Sequence, residues 1–141
     1  MIVGFNFTKI LVERNKPLHG NIKVTNDLRL ERVEKRPLPL KEKKDALVFE
    51  FVFTVDYEPG VGKVLIGGDV LYIDDQKKMD STLSTWEKNK KIPPDVSLEI
   101  VNIILARCNI KTLELANELN LPAHLPMPKI NIQDDPRKYI G

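Results

Sequence analysis

The residues of this chain that could do chemistry are few and scattered. Gly60-Val61-Gly62-Lys63 has the glycines and lysine of a phosphate-cradling loop. That loop requires G-x-x-x-x-G-K-[ST] opening a helix, whose free N–H groups hold the phosphates. Val64 stands where the hydroxyl is needed and the following residues alternate as a strand, so the segment is assigned to a hairpin turn. His19 and His124 lie in separate loops with no cysteine or second histidine at ligand spacing. Asp74-Asp75 and Asp134-Asp135 lack the graded oxygen spacing of a calcium loop and are assigned to solvated turns. Cys108, the one cysteine, lies among apolar residues and is assigned to the core, not to nucleophilic work. Asp69 interrupts an apolar strand, which suits a cross-sheet pair, an exposed face or a bulge. No catalytic residue, metal ligand or cofactor site is expected, and no enzymatic activity.

Residues Ile110 to Pro122 match the first half of a helix-turn-helix. That motif needs a recognition helix next, with basic residues reaching phosphates. Pro122, Pro126 and Pro128 follow instead. Lysine and arginine total 22 against 20 acidic residues, a net charge of +2. This small excess does not point to a nucleic-acid partner. No apolar stretch approaches the ~18 residues of a membrane span, and the N-terminal residues do not read as a signal peptide. A single cysteine permits no intrachain disulfide, which suits a reducing compartment, so a cytoplasmic protein is expected.

The elements follow from periodicity. Ala46 to Tyr57 is the clearest strand, with Leu47, Phe49, Phe51, Phe53, Val55 and Tyr57 at odd positions. Their burial is worth on the order of 9–18 kcal/mol before entropy costs. Pro59 to Gly62 turns the chain, and Lys63 to Ile73 returns it, interrupted at Gly67-Gly68 as by a bulge. Phe5 to Glu13 and Asn21 to Glu34 supply two earlier strands. In the first, Phe5 and Phe7 share a side that Ile10 and Val12 leave, which suggests a twist or bulge. In the second, Ile22, Val24, Leu28 and Leu30 share a face. Arg36 to Lys44, with two prolines and a lysine run, reads as a solvated loop.

After residue 73 the period becomes helical. Asp80 or Ser81 suits the cap of a short helix containing Leu83 and Trp86. A long helix starts at Pro94, and residues 110–119 are again helical. Apolar side chains from Val96 to Cys108 span roughly 220° of the long helix, more than the ~100° stripe that one partner covers. Such a helix calls for the sheet on one side and a second subunit on another. Strands followed by helices predict an α+β domain over residues 1–132, with a four-stranded antiparallel sheet and helices packed on one face. Residues 133–141 read as a polar tail.

Taken in this order, the segments resemble the SecB family of export chaperones and its SecB-like relatives. Phe7 to Glu13 is similar to the family's first strand, and Leu47 to Ile73 to its central strand pair. Pro94 to Arg107 is similar to its long helix, and Leu125-Pro126-Met127-Pro128-Lys129-Ile130-Asn131-Ile132 to its C-terminal segment. The first loop, Asn15 to Gly20, is shorter than the family's crossover loop, and residues 110–121 resemble an insertion. The resemblance implies a homotetramer, a dimer of dimers, that holds unfolded polypeptides without ATP and is linked to protein export. The near-neutral charge argues against docking on the motor SecA. Leu18, Trp86, Leu121, Leu125 and Met127 are the expected polypeptide-binding residues, and Leu98, Val101, Leu105 and Cys108 the expected subunit contact. A dedicated binding module on the same fold, such as an antitoxin partner or an assembly scaffold, is the alternative.

Overall fold

The computed structural model describes residues 1–39, 44–128 and 137. Four strands, β1 (Ile2–Arg14), β2 (Lys23–Pro37), β3 (Asp45–Glu58) and β4 (Gly62–Tyr72), precede two helices, α1 (Gln76–Asn89) and α2 (Pro94–Glu118). The strands form one antiparallel sheet in the order β1-β4-β3-β2. The fold is therefore α+β. The Asp134-Asp135 turn, the polar tail, the end of the family-like C-terminal segment and the middle of the 36–44 loop involve residues outside those described.

β3 owes its central place to its sequence. The side chains of its odd positions point to one face, and all six are buried. β4 answers them rung by rung: Tyr72 faces Leu47, Val70 faces Phe49, Gly68 faces Phe51, Ile66 faces Phe53, Val64 faces Val55 and Gly62 faces Tyr57. The two glycines thus lie opposite two of the largest aromatic side chains. A Cβ on Gly68 would come within 2.2 Å of the Asn6 carbonyl oxygen and 2.7 Å of Phe51 Cζ. Gly67 points to the opposite face, where a Cβ would meet nothing nearer than 3.5 Å.

The irregularity at Gly67-Gly68 belongs to β1 and not to β4. β4 pairs with β3 without a shift, whereas β1 inserts Thr8 between Phe7, opposite Gly68, and Lys9, opposite Gly67. The extra residue restores the alternation, so Ile10 faces Ile66 and Val12 faces Val64 on the same side as Phe5 and Phe7. β2 does the same at Glu31, which brings Val33 opposite Phe49. Asp69 sits on the other face of the sheet, between Asn6 and Glu50, and accepts a hydrogen bond from Asn6 Nδ2 at 2.9 Å.

Both helices pack on the face of the odd β3 side chains. α1 starts earlier than its sequence suggests, because Asp75 caps it and accepts from the Lys78 N–H at 2.8 Å. Asp80, expected at the cap, instead bonds Lys35 of β2 at 2.5 Å, and this contact holds its carboxyl below the usual range. α2 is one continuous helix and not two helical segments. Val96, Ile100, Ile104, Cys108, Thr112 and Ala116 are its buried residues, spaced by four throughout. A four-residue step forms a ridge inclined to the helix axis, so the helix crosses β4 and β1 obliquely while staying in contact. Cys108 is completely buried within its own chain, which takes it off any subunit contact. Among the described residues no helix is long and apolar enough to cross a membrane.

The glycine geometry makes a paired prediction. Gly68→Ala is expected to lower unfolding stability by about 3 kcal/mol, the upper end of the overpacking range. Gly67→Ala is expected to stay within about 0.5 kcal/mol of the parent. Chemical denaturation of the two variants checks it; equal losses would contradict the register.

Candidate functional site

Two recesses flank α2, one near each of its ends. The helix has 25 residues, so its ends lie about 37 Å apart. Of the five expected polypeptide-binding residues, Trp86 lines the first and Leu121 and Met127 the second, so the five do not form a single site.

The first recess, about 610 Å³, lies where the edge of β2 meets the α1–α2 connection. Leu30, Trp86 and Ile92 are its large apolar lining residues, and Arg29, Glu31, Lys90, Lys91 and Ser97 complete the wall. Three elements build it. β2 is an edge strand paired only with β3, so its outer backbone edge has no strand partner in the described sheet. α1 lies against β2 and β3, which places Trp86 beside Leu30 with 7% of its surface exposed. The chain then leaves α1 through Lys90, at φ 56°, whose N–H donates to the Trp86 carbonyl at 2.8 Å. This left-handed exit ends the helix and carries Lys91 and Ile92 into the wall. Lys90 Nζ lies 5.4 Å from the centre of the Trp86 ring.

The second recess, about 470 Å³, is formed by the last turns of α2 and the chain that follows. Asn120, at φ 57°, ends the helix, and the Leu121 N–H returns to the Ala116 carbonyl at 2.8 Å. That turn drives Leu121 against Gly62, where a Cβ would lie 3.1 Å from Leu121 Cδ2. Tyr57 Oη then donates to the Pro122 carbonyl at 2.7 Å. His124 packs edge-on against Phe53, with ring centres 6.3 Å apart, and its Nε2 lies 2.9 Å from Asn109 Oδ1. Leu121 is thereby buried and Met127 half-exposed in the same recess, while Leu125 lies beside it, partly buried. Leu18 stands apart in the exposed β1–β2 connection.

The remaining expected residues are on α2. Leu98 is 66% exposed, and Val101 and Leu105 are partly covered. Their 3-then-4 spacing places them on one stripe beside the buried ridge. Burial pushes the Cys108 thiol up to about 12, which removes its thiolate at neutral pH. No group of three or more histidine, cysteine or acidic side chains among the described residues is placed to hold a metal ion. The sequence reading missed the floor of the first recess: Leu30 and Ile92 are ordinary apolar residues, and only the strand order sets them beside Trp86.

Comparison with family models, with curated proteins and with solved structures returns no match.

His124 makes the packing of the chain beyond α2 sensitive to pH. With Asn109 Oδ1 as acceptor, the proton sits on Nε2, and buried Nδ1 has no partner among the described residues. Burial therefore holds the imidazole below its usual 6.5. The unfolded chain binds the proton more readily, so the stabilisation is complete above about pH 6.5 and declines as pH falls toward the folded value. His124→Gln is expected to remove this component. The difference in melting temperature between parent and variant should shrink from pH 7.5 to pH 5; a constant difference would contradict the assignment.

Proposed function

We propose that the protein is an ATP-independent holdase of the cytoplasm that binds extended, non-native polypeptide segments, as the resemblance to SecB-like chaperones implies. The observation that carries this reading is the first recess, an apolar floor beside an unpaired strand edge. An extended segment laid along β2 gains main-chain hydrogen bonds from the edge, and its side chains on one face enter the recess. Main-chain pairing is indifferent to sequence, and the apolar floor asks for no particular polar partner. This combination suits capture of many segments more than recognition of one. The bulge at Glu31 divides the edge into two shorter registers, residues 23–30 and 32–37, which favours short and reversible engagement. The second recess, with half-exposed Met127, offers an adaptable apolar contact at the other end of α2.

The assembly on this reading is a tetramer, a dimer of dimers, whose subunits meet through the Leu98, Val101 and Leu105 stripe. A 66% exposed leucine in the first turns of a long helix is the support for it.

Two measurements test the proposal. At equimolar subunits, the protein is expected to suppress light scattering by a denatured client without added nucleotide; unaltered aggregation in the presence of the intact assembly would overturn it. Leu98→Glu is expected to lower the solution mass determined by sedimentation while leaving the far-ultraviolet circular dichroism unchanged. An unchanged mass would remove the stripe as a subunit contact.

A further inference from the structure

We propose that the first recess selects segments in which an apolar residue is flanked by Asp or Glu two positions away on the same strand face. The proposal rests on the holdase reading and adds the chemistry of the preferred client.

The recess is lined by three cations, Arg29, Lys90 and Lys91, and one carboxylate, Glu31. Their surroundings are unequal. Arg29 lies 3.6 Å from both Asp27 and Glu31, so its charge is already shared. Lys90 and Lys91 make no ion pair among the described residues. The uncompensated charge of the rim is therefore positive and lies on the α1–α2 connection, directly beside the apolar floor.

A second observation concerns the backbone. Lys90 occupies the left-handed position that ends α1, at φ 56°. Glycine is the usual residue there, because a Cβ makes this conformation unfavourable. A lysine at this point accepts backbone strain, and its ammonium is delivered over the Trp86 ring at the mouth of the recess. The helix end would form more easily without the side chain, which points to a use for the side chain itself.

The ligand chemistry follows from strand geometry. Along an added strand, residues two apart share a face and stand about 7 Å from one another. An apolar side chain seated on Leu30, Trp86 and Ile92 leaves its same-face neighbours at the rim, within reach of long flexible lysines. Carboxylates there complete the charge; lysines or arginines would meet like charge. Each exposed pair is worth up to about 1 kcal/mol, or roughly fivefold in affinity. Two pairs give about 5- to 25-fold in low salt, and screening erodes this as ionic strength rises.

The test uses short synthetic peptides carrying Glu-x-Leu-x-Glu, Gln-x-Leu-x-Gln or Lys-x-Leu-x-Lys, otherwise identical, with the fluorescence of Trp86, the chain's single tryptophan, as readout. The glutamate peptide is expected to bind about 5- to 25-fold more tightly than the glutamine peptide in low salt, and the lysine peptide most weakly. Lys90→Gly is expected to raise the melting temperature, by relieving the left-handed residue, and to lower affinity for the glutamate peptide alone. Lys91→Gln should lower the same affinity without raising stability. Equal binding of the three peptides, or preference for the lysine peptide, overturns the charge proposal while leaving the recess as a polypeptide site. Failure of all three to bind, together with unaltered client aggregation, overturns the holdase reading and this proposal with it.

Discussion

The pairing of β3 with β4 is the constraint on which the rest of the molecule depends. Six buried side chains on β3 cannot change face without all becoming exposed, because a one-residue slip reverses every one of them. On β4 the register is held sterically as well as by hydrophobic burial. Phe51 and Tyr57 face Gly68 and Gly62, and no other register places a glycine opposite both. The bulge at Thr8 follows from this pairing, since β1 must pass Gly68 with Asn6 drawn close to it and then return its apolar residues to the helix side. Gly62 serves a second purpose: its bare Cα is where Leu121 lands, so the same register fixes the chain beyond α2.

From this centre the order β1-β4-β3-β2 leaves two edges, and they differ. Along β1, Arg107 of α2 lies over Phe5 and Phe7, its guanidinium carbon 4.7 and 5.8 Å from the ring centres, and closes the gap between strand and helix. Along β2, α1 is tied to the strand by Lys35 and Asp80, and its C-terminal turn sets Trp86 beside Leu30 before residues 90–93 lead on to α2. The first recess lies at that junction of strand edge and connection. Its position is thus a consequence of where α1 starts and stops, set by the Asp75 cap and the Lys90 exit.

The alternation of Leu47 to Tyr57 and the matching run in Lys63 to Ile73 made the sheet, its order of elements and the α+β class legible in the sequence. What stayed hidden was decided by partners distant in the chain. The change of side between Phe7 and Ile10 announced an irregularity in the first strand, but its place at Thr8 is set by the pairing with β4, where bare Gly68 lets the Asn6 backbone come close. Asp75 and Asp80 are both competent caps, and the choice fell to Asp75 because Lys35, forty-five residues from Asp80, claims the latter. The long helix seemed to break near Asn109 because its polar residues fall out of phase with a 3.6 period, whereas the four-residue ridge runs through them to Ala116. Trp86, Leu121 and Met127 were legible as large apolar residues in unusual places, yet nothing local separated them into two recesses at opposite ends of α2.

The exposed edge of β2 raises a physical problem that bears on its proposed use. A long edge strand beside an apolar recess is a template for pairing with other copies of the same chain. Native sheets blunt such edges with charges and bulges, and β2 has both: Arg29, Glu31 and Arg32 around a bulge, with Lys90 and Lys91 across the recess. β2 carries Lys23, Arg29, Arg32, Lys35 and Arg36 against Asp27, Glu31 and Glu34, and each of these carboxylates lies near an arginine of the same strand. A second copy of β2 laid on this edge would therefore bring little free negative charge toward the rim lysines. The same positive rim that discourages self-pairing is complementary to an acidic segment, so resistance to association and preference for a client arise from one set of side chains. A neutral rim would protect less, and an acidic rim would protect against a different class of strand. On the proposed reading, the charge of the recess is the feature that lets an open strand edge remain open to others while closed to itself.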